Sequence, residues 1–241
     1  MKKNILLSAF CIVVFNVFSQ RTTNEQPYGM TRSLTYQEQD VVILTSPDIA
    51  KIEMEDMEND KKTGPVRYGY PVHANLTFDN SGVWQKLNDG SIVWLLKVNI
   101  PGALSTNTYY DKLWLPEGAK FFVYSEETKQ SIGALTSDIV GGTREEPAEF
   151  ATALIYGENV TFEYYQPASV IDNRSPIISI TRIDYGYRFV DNPYFNNGKG
   201  YGDAGNCQVN VNCPEGNNWK NEKNAVAKVS IPFVSGSQWC S

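Results

Sequence analysis

Between Arg67 and about Tyr165, apolar and polar residues alternate in short runs separated by turn-forming clusters at intervals of roughly ten residues, the pattern of an all-β sandwich or barrel. The clearest unit pairs VWQKL (83–87) with SIVWLLKVNI (91–100) across Asn88-Asp89-Gly90, because Asp-Gly supplies the positive φ of a tight hairpin. Ile92, Trp94, Leu96, Val98 and Ile100 then share one strand face. LWLPEGAKFFVY (113–124) is read as the same scheme, with Pro116, Glu117 and Gly118 at its corner. ATALIYGENVTFEYY (151–165) follows, with Gly157, Glu158 and Asn159. Trp84, Trp94 and Trp114 are expected in the core rather than on a sugar-stacking platform. Residues 169–192 are expected to add one or two strands leading out of the sandwich.

Upstream the period changes. In DVVILTSPDIAKIEMEDMENDKK (40–62), Ser46 is the expected N-cap, Pro47 the first helical residue, and Ala50, Met54 and Met57 recur as an apolar face. Lys61 and Lys62 suit the C-terminal end of the helix dipole. The carboxylates of Glu53, Glu55, Asp56, Glu58 and Asp60 lack the spacing and glycine of a calcium loop, so no metal is expected and they read as a solvated face. Residues 21–40 are polar and non-periodic, and 20–43 are read as a flexible N-terminal segment. Residues 191–204 read as a Gly-rich linker and processing region. Gly198, Gly200, Gly202 and Gly205 are not a phosphate loop, since no helix opens after them and no βαβ unit surrounds them.

The start of the chain assigns a compartment. Residues 1–19 combine basic Lys2 and Lys3 with an apolar run too short for a membrane span, as in a signal peptide, so secretion to the periplasm or the exterior is expected. A core of real size is expected from a chain of 241 residues that is 41% hydrophobic. The net charge of -6 argues against a nucleic-acid footprint, which needs a basic face.

With Cys11 removed in the signal peptide, three cysteines remain, an odd number for an oxidising compartment. Gln208 to Asn212 alternate as a strand, which would hold Cys207 and Cys213 roughly 20 Å apart, against the ~7 Å limit between the Cα atoms of a disulfide. Cys240 could join one of them, leaving the other alone. The stretch 205–241 is also too short for its own core and reads as an incomplete domain.

That stretch, GNCQVNVNCPEGNNWKNEKNAVAKV followed by QWCS, resembles the opening of the catalytic domain in secreted bacterial trypsin-like serine endopeptidases of the lysyl endopeptidase type. The preceding segment resembles the propeptide of that family through RYGY (67–70), GVWQKLNDGSIVWLLKV (82–98), PGALSTN (101–107), LWLPEGAKFFVYS (113–125) and FEYYQP (162–167). The resemblance implies a zymogen: a helix plus β-sandwich propeptide over 44–190, followed by the first strands of a trypsin-like β-barrel from 205. It implies disulfide partners for Cys207, Cys213 and Cys240 beyond Ser241, and processing near Lys199, Gly200 and Gly205. It also implies a protein or peptide substrate cut after lysine, a propeptide packed on its own catalytic domain, and no cofactor. The catalytic triad would lie outside residues 1–241, leaving this stretch inactive by itself. His73, the only histidine, is given no catalytic role. Two other readings remain: a secreted β-sandwich binding module for glycans or surface partners, and a free-standing protease inhibitor derived from such a propeptide.

Overall fold

The alternating stretch forms strands that divide between two sheets sharing one core. The computed structural model describes residues 25–32, 34, 40–61, 66–172, 174–188, 214–219, 221, 230–232 and 238–240. Among these, one six-stranded sheet contains β1 (Val42–Ile43), β3 (Val83–Lys86), β4 (Ile92–Asn99), β6 (Lys120–Tyr124), β7 (Ser131–Leu135) and β10 (Asn159–Gln166). The other, seven-stranded, contains β2 (Val66–Thr77), β5 (Ser105–Trp114), β8 (Ala148–Ala151), β9 (Ile155–Tyr156), β11 (Ile177–Gly186), β12 (Ser230–Pro232) and β13 (Gln238–Cys240). Three helices accompany them: α1 (Tyr28–Thr31), α2 (Ile49–Asn59) and α3 (Ser137–Val140). A short 3-10 helix covers Pro214–Trp219. The protein is thus mostly β.

The Asp-Gly hairpin forms as expected. Val83 pairs with Leu95 and Lys86 with Ile92, Gly90 takes φ 87°, and the Leu87 amide donates to the Ser91 carbonyl at 2.8 Å. The other two corners differ from the expectation. Pro116 to Ala119 carry the chain from β5 in one sheet to β6 in the other, and Gly157 carries it from β9 to β10. Both are sheet-switching corners rather than hairpins, because turn residues set where the chain reverses and leave open which strand the next segment pairs with. β11 likewise lies between β2 and β5 in the middle of its sheet instead of leading out.

The core joins both sheets. Trp94, Leu96, Val98, Phe121, Val123, Phe162 and Tyr164 from one sheet meet Leu76, Tyr110, Leu113, Ile178, Ile180 and Ile183 from the other. Each large side chain fully removed from water there contributes about 1.5–3 kcal/mol before entropy is counted. Of the three tryptophans expected inside, Trp94 (0% exposed) and Trp114 (7%) are buried, whereas Trp84 is 43% exposed and needs another account.

Helix α2 starts two residues later than its sequence suggests. Asp48 is the N-cap, its carboxylate accepting from the Lys51 amide at 3.1 Å, while the Ser46 hydroxyl donates to the Pro101 carbonyl. The buried face is also different: Ile49 packs on the core, Ile52 and Asp56 are buried, and Ala50, Met54 and Met57 face out. A buried ion pair at Asp56 sets that rotation of the helix.

Candidate functional site

The buried ion pair belongs to a network behind one edge of β2. Arg67, 5% exposed, donates through Nε to Asp56 at 2.8 Å, through Nη1 to Glu55 at 3.1 Å and through Nη2 to the Ile52 carbonyl at 2.9 Å. The Tyr187 hydroxyl donates to the other oxygen of Asp56 at 2.6 Å. Arg188 grips Asp60 with both terminal nitrogens, at 2.7 and 3.0 Å, and donates through Nε to the Arg67 carbonyl at 2.6 Å. Salt bridges and hydrogen bonds therefore tie α2, the first residues of β2 and the end of β11 into one unit. Burial and the hydrogen bond to Asp56 push the Tyr187 phenol far above its usual range.

That unit holds out a strand edge. One side of β2 pairs with β11 from Gly69 to Thr77; the other takes β13, with Gly69 opposite Gln238, Arg67 opposite Trp239 and Val66 opposite Cys240. β12 continues the ladder beyond β13, with Ile231 opposite Trp239. β12 and β13 are thus added to the sheet by main-chain pairing, a mode that makes little demand on side-chain identity.

A second contact covers the opposite sheet from outside. Residues 25–32, part of the segment read as flexible, lie across β10 and β6. Glu163, fully buried, accepts the Tyr28 amide at 2.6 Å, the Gly29 amide at 2.7 Å and the Tyr124 hydroxyl at 3.1 Å. Tyr28 stacks on Tyr165 with ring centroids 5.7 Å apart, Met30 packs on Phe122, Tyr124 and Ala134, and Lys120 pairs with Glu25. This strap explains why Val93 and Leu95 on β4 are as buried as their core-facing neighbours. Burial raises the pKa of Glu163 against the pull of the two amides, and it raises that of the Tyr124 phenol more strongly.

Gly29 is required by the fit, since a Cβ there would lie 2.6 Å from the Tyr124 hydroxyl and 2.8 Å from the Glu163 carboxylate. Gly29→Ala is therefore expected to unseat the strap while leaving the sandwich folded. Trypsin should then cut after Arg32 several-fold faster than in the wild type, because exposure of a segment to protease follows its local opening free energy. Unchanged cleavage would show that the strap is held without Gly29.

Of the residues singled out in the sequence, Cys207, Cys213, Lys199, Gly200 and Gly205 lie outside the described residues. Cys240 stands in β13, opposite Ser230 on one side and Val66 on the other. His73 is exposed on β2, opposite Arg182, whose guanidinium donates to Asp184 and lies over the Tyr109 ring. Among the described residues no group of three or more His, Cys, Asp or Glu side chains is placed to hold a metal ion. Nor is any helix among them long and apolar enough to cross a membrane. Sequence reasoning missed Glu163 and Arg67. No signal marked Glu163, since Asn159, Thr161 and Glu163 share one face of an alternating strand and read as its solvent side. No protein-family model matches the chain.

Proposed function

We propose that the chain belongs to the precursor of a secreted serine endopeptidase, with residues 44–190 as propeptide and residues 205–241 opening a trypsin-like catalytic domain. The observation that carries this reading is the pairing of β13 with β2. A stretch read as the start of the catalytic domain is seated on the edge of the stretch read as its propeptide, where main-chain hydrogen bonds can template it or hold it back. The two-sheet β fold with a helix ahead of it agrees with the propeptide reading.

In this reading the reaction is acyl transfer. A histidine takes the proton of a serine hydroxyl attacking the peptide carbonyl, an aspartate orients the imidazole, and backbone amides hold the oxyanion. Residues 1–241 supply the export signal, the propeptide and three half-disulfides, at Cys207, Cys213 and Cys240, with the triad encoded further on. Reading the coding sequence past Ser241 tests it directly: a histidine beside a cysteine soon after Cys240, and later a glycine-flanked serine, are expected. A stop codon after Ser241 would overturn the precursor reading.

Processing gives a second test. A lysine-specific enzyme would release itself at Lys199, so in the full-length precursor Lys199→Ala is expected to abolish or strongly slow maturation, followed as loss of the mature band and of its N-terminal sequence. Maturation at the normal rate would remove Lys199 as the cleavage point.

A further inference from the structure

Trp84 is a large aromatic side chain on a strand of the sandwich that the core does not absorb, 43% exposed. It stands at the mouth of the sandwich, where β3 and β4 of one sheet face β11 and the Lys112 end of β5 in the other, and it lines a cleft of about 710 Å³. That size is in the range of small-ligand sites, roughly 300–1,000 Å³. Behind it the Phe78 ring lies 5.3 Å away and that of Tyr164 5.9 Å away, so the indole is backed by a rigid aromatic cluster. The indole N–H is already used, donating to the Phe78 carbonyl at 3.2 Å. What Trp84 offers a ligand is the flat apolar face of a fixed ring.

The rim of this cleft has the opposite charge to the molecule. The chain carries a net charge of -6, yet the charged residues lining the cleft are Lys112, Arg144 and Arg174 against the carboxylate of Asp79, and with the charge of Arg174 met by Asp172, Lys112 and Arg144 supply the excess of positive charge. Arg174 donates through Nε and Nη2 to Asp172 and lies over the Trp114 ring, which fixes its position. Lys112 and Arg144 are exposed. A ligand suited to this arrangement has a flat face with C–H groups to lay on the indole and carboxylates along its sides to meet the cations.

We propose that the Trp84 cleft is a binding site for an acidic polysaccharide of the uronate type, one sugar ring stacking on Trp84 and its neighbours' carboxylates pairing with Lys112 and Arg144. The fixed plate favours a ring over an acidic peptide, whose affinity would come from backbone pairing and side-chain pockets. The site is independent of the protease reading and would tether either a precursor or a free-standing module to an acidic glycan matrix.

Titration of the chain with hexagalacturonate, followed by tryptophan fluorescence, tests this. Saturable binding is expected, weakened at raised salt because exposed charge pairs are screened. It should weaken at least about tenfold in Lys112→Glu/Arg144→Glu, a change equivalent to about 1.4 kcal/mol. Both substitutions are at exposed positions, so the fold should be kept; Trp84→Ala should abolish binding but also removes packing against Phe78. Neutral cellohexaose should not bind. The proposal is overturned if hexagalacturonate fails to bind, if the charge-reversed variant binds it as well as wild type does, or if cellohexaose binds equally. Equal binding of poly-glutamate would overturn it too, in favour of an acidic polypeptide.

Discussion

Asp56→Ala is expected to destabilise the protein by about 3–5 kcal/mol, the cost of removing one partner from a buried ion pair. The magnitude follows from what remains behind. Arg67 would stay 5% exposed with its Nε and Nη2 facing the space Asp56 had filled, keeping Glu55, which is partly solvated, the Ile52 carbonyl and the Tyr187 hydroxyl at 3.1 Å, with no buried carboxylate left to balance its charge. Tyr187 would lose the acceptor it reaches at 2.6 Å, leaving a phenol proton without an acceptor, and Arg188 would lose one of its two carboxylates while keeping Asp60. Asp56→Asn should cost less, since the amide keeps an acceptor for one of these donors.

The pair as such need not be stabilising relative to an apolar one. Asp56→Leu with Arg67→Met is therefore expected to recover much of the loss, because no charge is left uncompensated. Urea denaturation of the two single variants and the double variant closes the cycle, and the coupling between the sites should amount to about 0.5–3 kcal/mol. A single Asp56→Ala variant within about 1 kcal/mol of wild type would mean that water replaces the carboxylate and that the network is not sealed. The variant also bears on function. Arg67 and Val66 form the edge that β13 joins, so loosening of α2 should free β13, and β12 with it, first.

These two regions differ in how well the sequence foretells them. The Asn88-Asp89-Gly90 hairpin was legible because its partner strands are adjacent and the turn residues carry the required backbone conformation. The corners at Pro116 and Gly157 were not, since the same residues serve equally to reverse a strand or to move it to the other sheet. Helix α2 was visible as a helix, yet its inward face was misread. Apolarity pointed to Met54 and Met57, and the helix instead turned Asp56 inward because Arg67 was waiting there. One charge among five carboxylates gives no local sign of burial. The exposure of Trp84 was equally hidden, since tryptophan on a strand normally signals core. The pairing of β2 with β13 joins Val66 to Cys240 and Gly69 to Gln238, residues distant in sequence, and no local signal records it.

The strap offers the second large effect, and it carries a dependence on pH. In Glu163→Gln the side-chain nitrogen must replace one carboxylate oxygen, and at either position it meets a backbone amide that is also a donor, from Tyr28 or Gly29. A loss of about 1–3 kcal/mol is expected, with residues 25–32 released to protease. Burial raises the Glu163 pKa, so in the window between the ordinary glutamate value and the raised one the folded protein holds a proton that the unfolded chain has given up. Stability from this group is complete below the unfolded value and is lost as pH rises through the folded one. Above that window the ionised carboxylate is still held by two amides and a phenol, so the strap stays seated with a smaller margin. Glutamine does not titrate. Urea midpoints measured from acid to neutral pH should therefore fall more steeply for wild type than for Glu163→Gln, the gap between the two curves narrowing toward the upper end without closing, since the ionised carboxylate still accepts both amides. Parallel curves would show that Glu163 keeps an ordinary pKa, its three donors balancing its burial. A narrowing gap would instead make the N-terminal strap a contact that tightens in acid and loosens toward neutrality, with the outer face of β6 and β10 exposed in proportion.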